Sequence, residues 1–225
     1  MVINAHARLP MALPLALMAF MGLAPAAAGS ADNPPPDMHM SQHAEPQAQA
    51  GQQIFVTCTR CHGSDGLGAP DGAAPAIAGQ FPRVIISELV DFRPRYANRQ
   101  DPRMEHIASL HLLSQPHEIA EVAYFVSTLP RGRVPAEGPG ILIDQGKSLY
   151  QAQCSRCHGA HAEGNPQRAI PWLNSQHYEY LQREMSYTLE QRRPNMEKDH
   201  AVLFQKLTAT DVTAVADYLS RLPPR

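Results

Sequence analysis

The four cysteines of this 225-residue chain fall into two pairs of identical spacing, each followed at once by a histidine: Cys58-Thr-Arg-Cys61-His62 and Cys154-Ser-Arg-Cys157-His158. Two thiols three positions apart with an imidazole directly after them form the attachment pattern of c-type haem, in which both thiols become thioethers and the imidazole ligates iron. No cysteine is left over. Cys58, Cys61, Cys154 and Cys157 are therefore assigned to covalent attachment of two haem c groups, and His62 and His158 to iron ligation. Other uses of the pairs fit worse. A zinc ribbon sets its pairs roughly 15 to 20 residues apart, whereas 92 residues lie between Cys61 and Cys154. A thioredoxin-like pair needs a βαβ setting, and a disulfide within either pair would be strained and leave both histidines unexplained.

The motifs sit inside an internal repeat. Cys58 and Cys154 are 96 positions apart, and the same offset pairs Gly63 with Gly159, Pro75 with Pro171 and Gln80 with Gln176. Ahead of each motif stands a short amphipathic segment that begins with Gly and carries an aromatic residue, Gly51 with Phe55 and Gly146 with Tyr150; the first copy is one residue shorter there. Each copy closes on apolar residues at i, i+3, i+4, i+7: Ile119, Val122, Ala123, Val126, and Val212, Val215, Ala216, Leu219. That spacing predicts an amphipathic helix. Start signals are Ser114 as N-cap with Pro116 in the first turn, and Thr208 with Asp211 as a capping box. Middle helices are expected from Phe81 to about Phe92 and from His177 to about Glu190. Sustained alternation of apolar and polar residues is missing, so the fold class expected is all-α, without a sheet.

The N-terminus carries Arg8, an apolar run from Met11 to Met21, and the small-residue stretch Ala24 to Gly29, which predicts a secretory signal peptide over residues 1–28. Residues 29–50, rich in Pro, Gln, Ala, Met and His, read as a flexible tether. Its Met38, His39, Met40 and His43 are of a kind that binds a soft metal such as copper, although a plain solvated linker is the simpler reading. The domains then expected are 51–130 and 144–225, with 131–143 as a linker. Composition matters at two points. A formal charge of −2 leaves no basic excess for a nucleic-acid backbone. An aromatic content of only 6% leaves small cores short of large side chains, and a covalently held haem would fill them.

A sixth iron ligand separates electron transfer from chemistry on a bound substrate. Outside the leader and tether only Met104, Met185 and Met196 remain. Met104 follows His62 by 42 residues and Met196 follows His158 by 38, both beyond the middle helix, whereas Met185 falls inside it and reads as core filling. His106 and His200 are the competing ligands. Pro75 and Pro171, each 13 residues after the histidine, are suited to present a backbone carbonyl to its ring. Arg99, Arg103, Arg192 and Arg193 are suited to grip haem propionates or to lie on a solvated loop. His111, His117, His161 and His177 have no counterpart in the other copy and are expected on the surface.

On these motifs the chain resembles the dihaem cytochrome c4 class. The resemblance rests on Gly-x-x-x-aromatic before Cys-x-x-Cys-His-Gly, on Pro75-Ala-Ile-Ala-Gly-Gln80, on an Arg-bearing loop ending in Met104, and on a terminal helix with Tyr124 and Phe125. The second copy is similar, with Pro171-Trp-Leu-Asn-Ser-Gln176, Met196 and Tyr218, although Asn174-Ser175 replaces Ala-Gly. The resemblance implies two tandem cytochrome c domains related by pseudo-twofold packing, with haems close enough for rapid electron exchange. It further implies a periplasmic shuttle fed by a quinol-oxidising complex or dehydrogenase and delivering to a membrane-bound terminal oxidase or reductase, with a homodimer left open. The alternatives are the cytochrome subunit of a periplasmic dehydrogenase, such as a flavocytochrome sulfide dehydrogenase, and a dihaem enzyme such as a peroxidase or thiosulfate dehydrogenase. The last class needs an open or unusual ligand on one iron, and a methionine in each copy argues against it.

Overall fold

In the computed structural model residues 46–92, 113–133, 136–193 and 196–225 are described, and they form helices joined by loops. The first copy supplies α1 (Ala48–Phe55), α2 (Thr59–His62), α3 (Pro82–Asp91) and α4 (Pro116–Thr128). The second supplies α5 (Ile143–Leu149), α6 (Ser155–His158), α7 (Tyr178–Leu189), α8 (Lys198–Phe204) and α9 (Ala209–Ser220). An isolated bridge between Asn165 and Ile170 is the nearest approach to a sheet among the described residues, so the all-α expectation holds. None of the described helices is long and apolar enough to cross a membrane. The leader, most of the tether and the segment carrying Met104 lie outside the described residues.

Each copy is closed by a crossing of its first helix over its last, and a glycine makes the crossing possible. A Cβ on Gly51 would stand 2.1 Å from the Glu121 carbonyl oxygen, and one on Gly146 would stand 1.9 Å from that of Ala214. Without side chains there, α1 lies against α4 and α5 against α9. The aromatic residue one turn later then stacks on the closing helix: Phe55 on Phe125 at 5.3 Å between ring centroids, and Tyr150 on Tyr218 at 5.7 Å. Phe55 joins Ile85, Ile86, Val90, Ile119, Val122 and Val126 in the first core; Tyr150 joins Tyr178, Leu181, Val215 and Leu219 in the second.

The extra residue of the second copy is absorbed where it is inserted. After Phe55 the first chain tightens, with Thr57 N–H on the Ile54 carbonyl and Cys58 N–H on that of Phe55, both three residues back. After Leu149 the second widens into a π-helical turn, Tyr150–Cys154, which takes one more residue per turn and so keeps both the glycine crossing and the cysteine pair in phase. The closing helices begin as their caps direct. The Asp211 carboxylate accepts from Thr208 N–H at 2.9 Å while the Thr208 hydroxyl accepts from Asp211 N–H at 3.2 Å. In α4 the N-cap is Gln115 rather than the expected Ser114: Pro116 takes the first helical position, and the Glu118 carboxylate reaches back to Gln115 N–H at 2.8 Å. The linker after α4 is tied down, with the buried Asp217 carboxylate accepting from Gly140 and Ile141 N–H at 2.9 and 3.1 Å.

Replacing Gly146 by alanine forces α5 off α9 and should lower stability by about 1–3 kcal/mol. The measurement is the urea midpoint of the haem-loaded protein, and an unchanged midpoint would show that the crossing relaxes freely.

Candidate cofactor sites

The cysteine pairs sit on single helical turns. In α2 the His62 N–H returns to the Cys58 carbonyl at 3.0 Å and Gly63 N–H to that of Thr59 at 3.0 Å. Gly63 at φ 76° and Gly159 at φ 85° then stop the two turns in the left-handed region, where a side chain is strained. One turn places thiols at i and i+3 on one side, with the imidazole directly after them. All four thiols are unpaired. Burial pushes the Cys58 thiol up, and pushes that of Cys154 up to about 11 with help from the neighbouring Cys157.

Both histidines are buried and held by the carbonyl that the repeat pattern singled out. His62 Nδ1 lies 2.9 Å from the Pro75 oxygen and His158 Nδ1 lies 3.1 Å from that of Pro171. A carbonyl only accepts, so each Nδ1 carries the proton and each Nε2 keeps a lone pair for a metal. Burial drives the His158 pKa down to about 4; the Pro171 bond opposes this and the adjacent His200 adds to it. The ring is neutral, as a ligand must be.

The residues expected on the far side of each iron fare differently. Met104 and His106 lie outside the described residues. Met196 is half-buried two residues before α8. His200, within α8, has its ring 5.8 Å from that of His158 and 6.3 Å from Phe204. The structure thus brings the competing histidine beside the buried imidazole. Arg192 pairs with Glu190 at 3.0 Å, and Arg193 lies between two carboxylates, Glu88 at 3.0 Å and Glu184 at 3.6 Å. Arg99 and Arg103 lie outside the described residues.

One expectation is overturned. His177, assigned to the surface, is 1% exposed at the start of α7, with Nε2 2.8 Å from the Leu67 carbonyl of the first copy. It stands at the position equivalent to Phe81, and contact between the copies, which an unmatched histidine does not announce, buries it.

That contact is built from the loops that hold the imidazoles. Ala76 and Trp172, the residues after the two prolines, pack on each other beside Phe81. Gln176 clasps Ala76 from both sides: its Oε1 accepts from Ala76 N–H at 2.9 Å and its Nε2 donates to Ala76 O at 2.8 Å. Gln80 returns the contact by donating from Nε2 to Trp172 O at 3.4 Å. Arg131 lies 4.0 Å over the Trp172 ring and donates to the Asn174 carbonyl at 3.3 Å. The repeat marked both glutamines as matched positions without giving them a task. Gln80 and Gln176 are buried, and an amide with two donors and an acceptor is the side chain that can pair with a peptide on both edges.

These features fit a covalently bound haem. Each copy has two thiols outside any disulfide and a buried imidazole whose Nδ1 is bonded to a carbonyl. The buried Trp172 Nε1–H has no hydrogen-bond partner among the described residues, which suits a group that brings its own carboxylates.

Comparison with known proteins agrees. The family model described as Cytochrome c matches twice, over residues 48–130 and 143–223. Cytochrome c4 of Thiocapsa roseopersicina is 30% identical over 193 residues, which cover 80% of this chain and 94% of that protein. The crystal structure of reduced recombinant cytochrome c4 from Pseudomonas stutzeri superposes with a TM-score of 0.69 at 25% identity, covering 79% of this chain and all of the other. The cbb3-type cytochrome c oxidase subunit FixP of Sinorhizobium medicae is 27% identical over 161 residues, 67% of this chain but 54% of that subunit.

Spectroscopic assay as the pyridine haemochrome should give two haems per chain. After denaturation none of the four cysteines should react with iodoacetamide; a thiol that does react marks a position without a thioether.

Proposed function

Since the chain belongs to the cytochrome c family and carries the family's domain twice, it is a dihaem electron carrier of the cytochrome c4 class and not an enzyme, and we propose that it shuttles electrons through two six-coordinate haems in the periplasm. When bound, each haem supplies a one-electron ferric/ferrous couple that reacts without bond making. Cys58 and Cys61 hold one group, Cys154 and Cys157 the other, within domains spanning 51–130 and 144–225. His62 and His158 ligate the irons through Nε2, oriented by the Pro75 and Pro171 carbonyls. Met104 and Met196 complete the coordination, which leaves no position for substrate. Thioether ligation and a water-poor site both favour the ferrous state and raise the potential.

The observation that carries this reading is the duplicated arrangement of a cysteine pair, a buried imidazole and its carbonyl bond, since a catalytic haem would need one copy to differ at the iron. Residues 1–28 serve as the export signal and 29–50 as a tether. The terminal oxidase as acceptor is supported by similarity to FixP, a subunit of a cbb3-type cytochrome c oxidase. A membrane-bound reductase is the alternative acceptor, with a quinol-oxidising complex or a dehydrogenase upstream.

At the second iron one observation favours another ligand: the His200 ring, 5.8 Å from that of His158, already lies beside it. Near-infrared spectra decide. Met104→Ala and Met196→Ala should each abolish the methionine-to-iron charge-transfer band of one oxidised haem. If Met196→Ala leaves the near-infrared spectrum unchanged while His200→Ala alters the second haem, the second site is His/His. Carbon monoxide should bind neither reduced haem of the unaltered protein, and rapid binding would return the chain to the enzyme class.

A further inference from the structure

The peptide unit between Pro75 and Ala76 is engaged at both ends. Its oxygen accepts the Nδ1–H of His62 at 2.9 Å, and its N–H is donated to Oε1 of Gln176, from the other copy, at 2.9 Å. Hydrogen bonds in series through an amide reinforce one another: an acceptor on the N–H moves electron density toward the carbonyl oxygen, which then binds its own donor more strongly. A stronger acceptor on Nδ1–H gives the imidazole more anionic character and makes Nε2 a better donor to a metal. A better donor stabilises the ferric iron.

The second copy is wired differently. Gln80, equally buried, meets the other loop at the Trp172 carbonyl, 3.4 Å from its Nε2; its Oε1 accepts from the Phe81 N–H of its own segment at 3.0 Å, just as that of Gln176 accepts from His177 N–H at 3.0 Å. The difference is that Gln176 Oε1 also takes the Ala76 N–H, whereas among the described residues no hydrogen bond joins Gln80 to the Pro171–Trp172 N–H. The bond from His158 Nδ1 to Pro171 O is also the longer of the two, at 3.1 Å. The two glutamines match in sequence but differ in what they do to the loop that each one touches.

We propose that Gln176 is a positioning residue for the haem of the other copy, acting through the Pro75–Ala76 peptide on the His62 imidazole to lower the potential of the first haem relative to the second. The inference rests on the assignment of His62 as the proximal ligand. It gives the carrier a built-in direction, because two domains with the same ligand set acquire different potentials from one amide at their contact.

The test uses the full haem-loaded protein, with redox titration resolved by haem through hyperfine-shifted proton resonances. Gln176→Leu, although it lies in the second copy, should raise the potential of the first haem and leave that of the second in place. Gln80→Leu removes an equally buried amide from the same contact without touching the Pro75–Ala76 peptide, so the first haem should stay where it is. Equal shifts of both haems in both variants would mean that the contact had merely loosened and would overturn the proposal, as would a first haem unmoved by Gln176→Leu. A measurement on the unaltered reduced protein guards against variants that fold poorly: the Nδ1–H of His62 should resonate downfield of that of His158, and the reverse order overturns the inference. If the unaltered protein has no iron-bound imidazole assignable to His62, it is the ligand assignment that fails.

Discussion

In each copy a single hydrogen bond, from the imidazole Nδ1–H to a carbonyl thirteen residues on, ties the cysteine turn to the loop that follows it. Its net worth is only about 1 kcal/mol, but leaving a buried N–H unmade costs about 1–3 kcal/mol, so the bond is retained wherever the ring is buried. Much of the rest depends on it. The loop it closes runs on to Gln80 or Gln176, two residues before α3 or α7 begins. The same loops carry Ala76 and Trp172 to the contact between copies. Ligand orientation and domain packing are thus properties of one short segment.

The copies diverge at two positive-φ positions in the loops that hold the imidazoles. Gly79, at φ 71°, is replaced by Ser175 at φ 53°, and Gly66, at φ 72°, by Ala162 at φ 59°. A non-glycine residue in that region costs about 1–2 kcal/mol. The second loop accepts the cost and keeps the path of the first, and Asn174 beside it bonds to the His161 carbonyl at 2.8 Å and takes the guanidinium of Arg131. The departure from the repeat pattern at Asn174-Ser175 is therefore an adaptation to the linker that crosses this loop, with the backbone geometry preserved.

Much of this was legible in the sequence, and for identifiable reasons. Cysteine spacing, the 96-residue offset and helical periodicity are local or periodic signals. They predicted the middle and closing helices to within a residue or two, the capping box at Thr208 and the carbonyls of Pro75 and Pro171, but not the short helix α8. What the sequence did not reveal depends on contact between segments far apart in the chain. The burial of His177 requires Leu67 to lie against it, 110 positions away, and the role of Gln176 requires Ala76, 100 positions away. The glycines at 51 and 146 were visible as a pattern, but their cause, a carbonyl about 2 Å from where a Cβ would stand, belongs to the crossing helix.

The charge arrangement at the contact follows from the repeat itself. Glu88 and Glu184 are equivalent positions, 96 apart, on middle helices that packing of the two copies brings together. Here the equivalent carboxylates come close enough for one guanidinium to reach both, so like charges face each other. Arg193 resolves the conflict from outside the symmetry, bonding to Glu88 at 3.0 Å and facing Glu184 at 3.6 Å, and the two carboxylates hold its guanidinium charged despite burial. Tyr180 is pushed up as well, its hydroxyl kept neutral by burial and by the same carboxylates. An arginine suits this place because its planar fork can serve two carboxylates at once, which a lysine ammonium does less well. The guanidinium expected to grip a cofactor carboxylate is instead committed to holding the two copies together, and the asymmetry it introduces lies three residues before Met196.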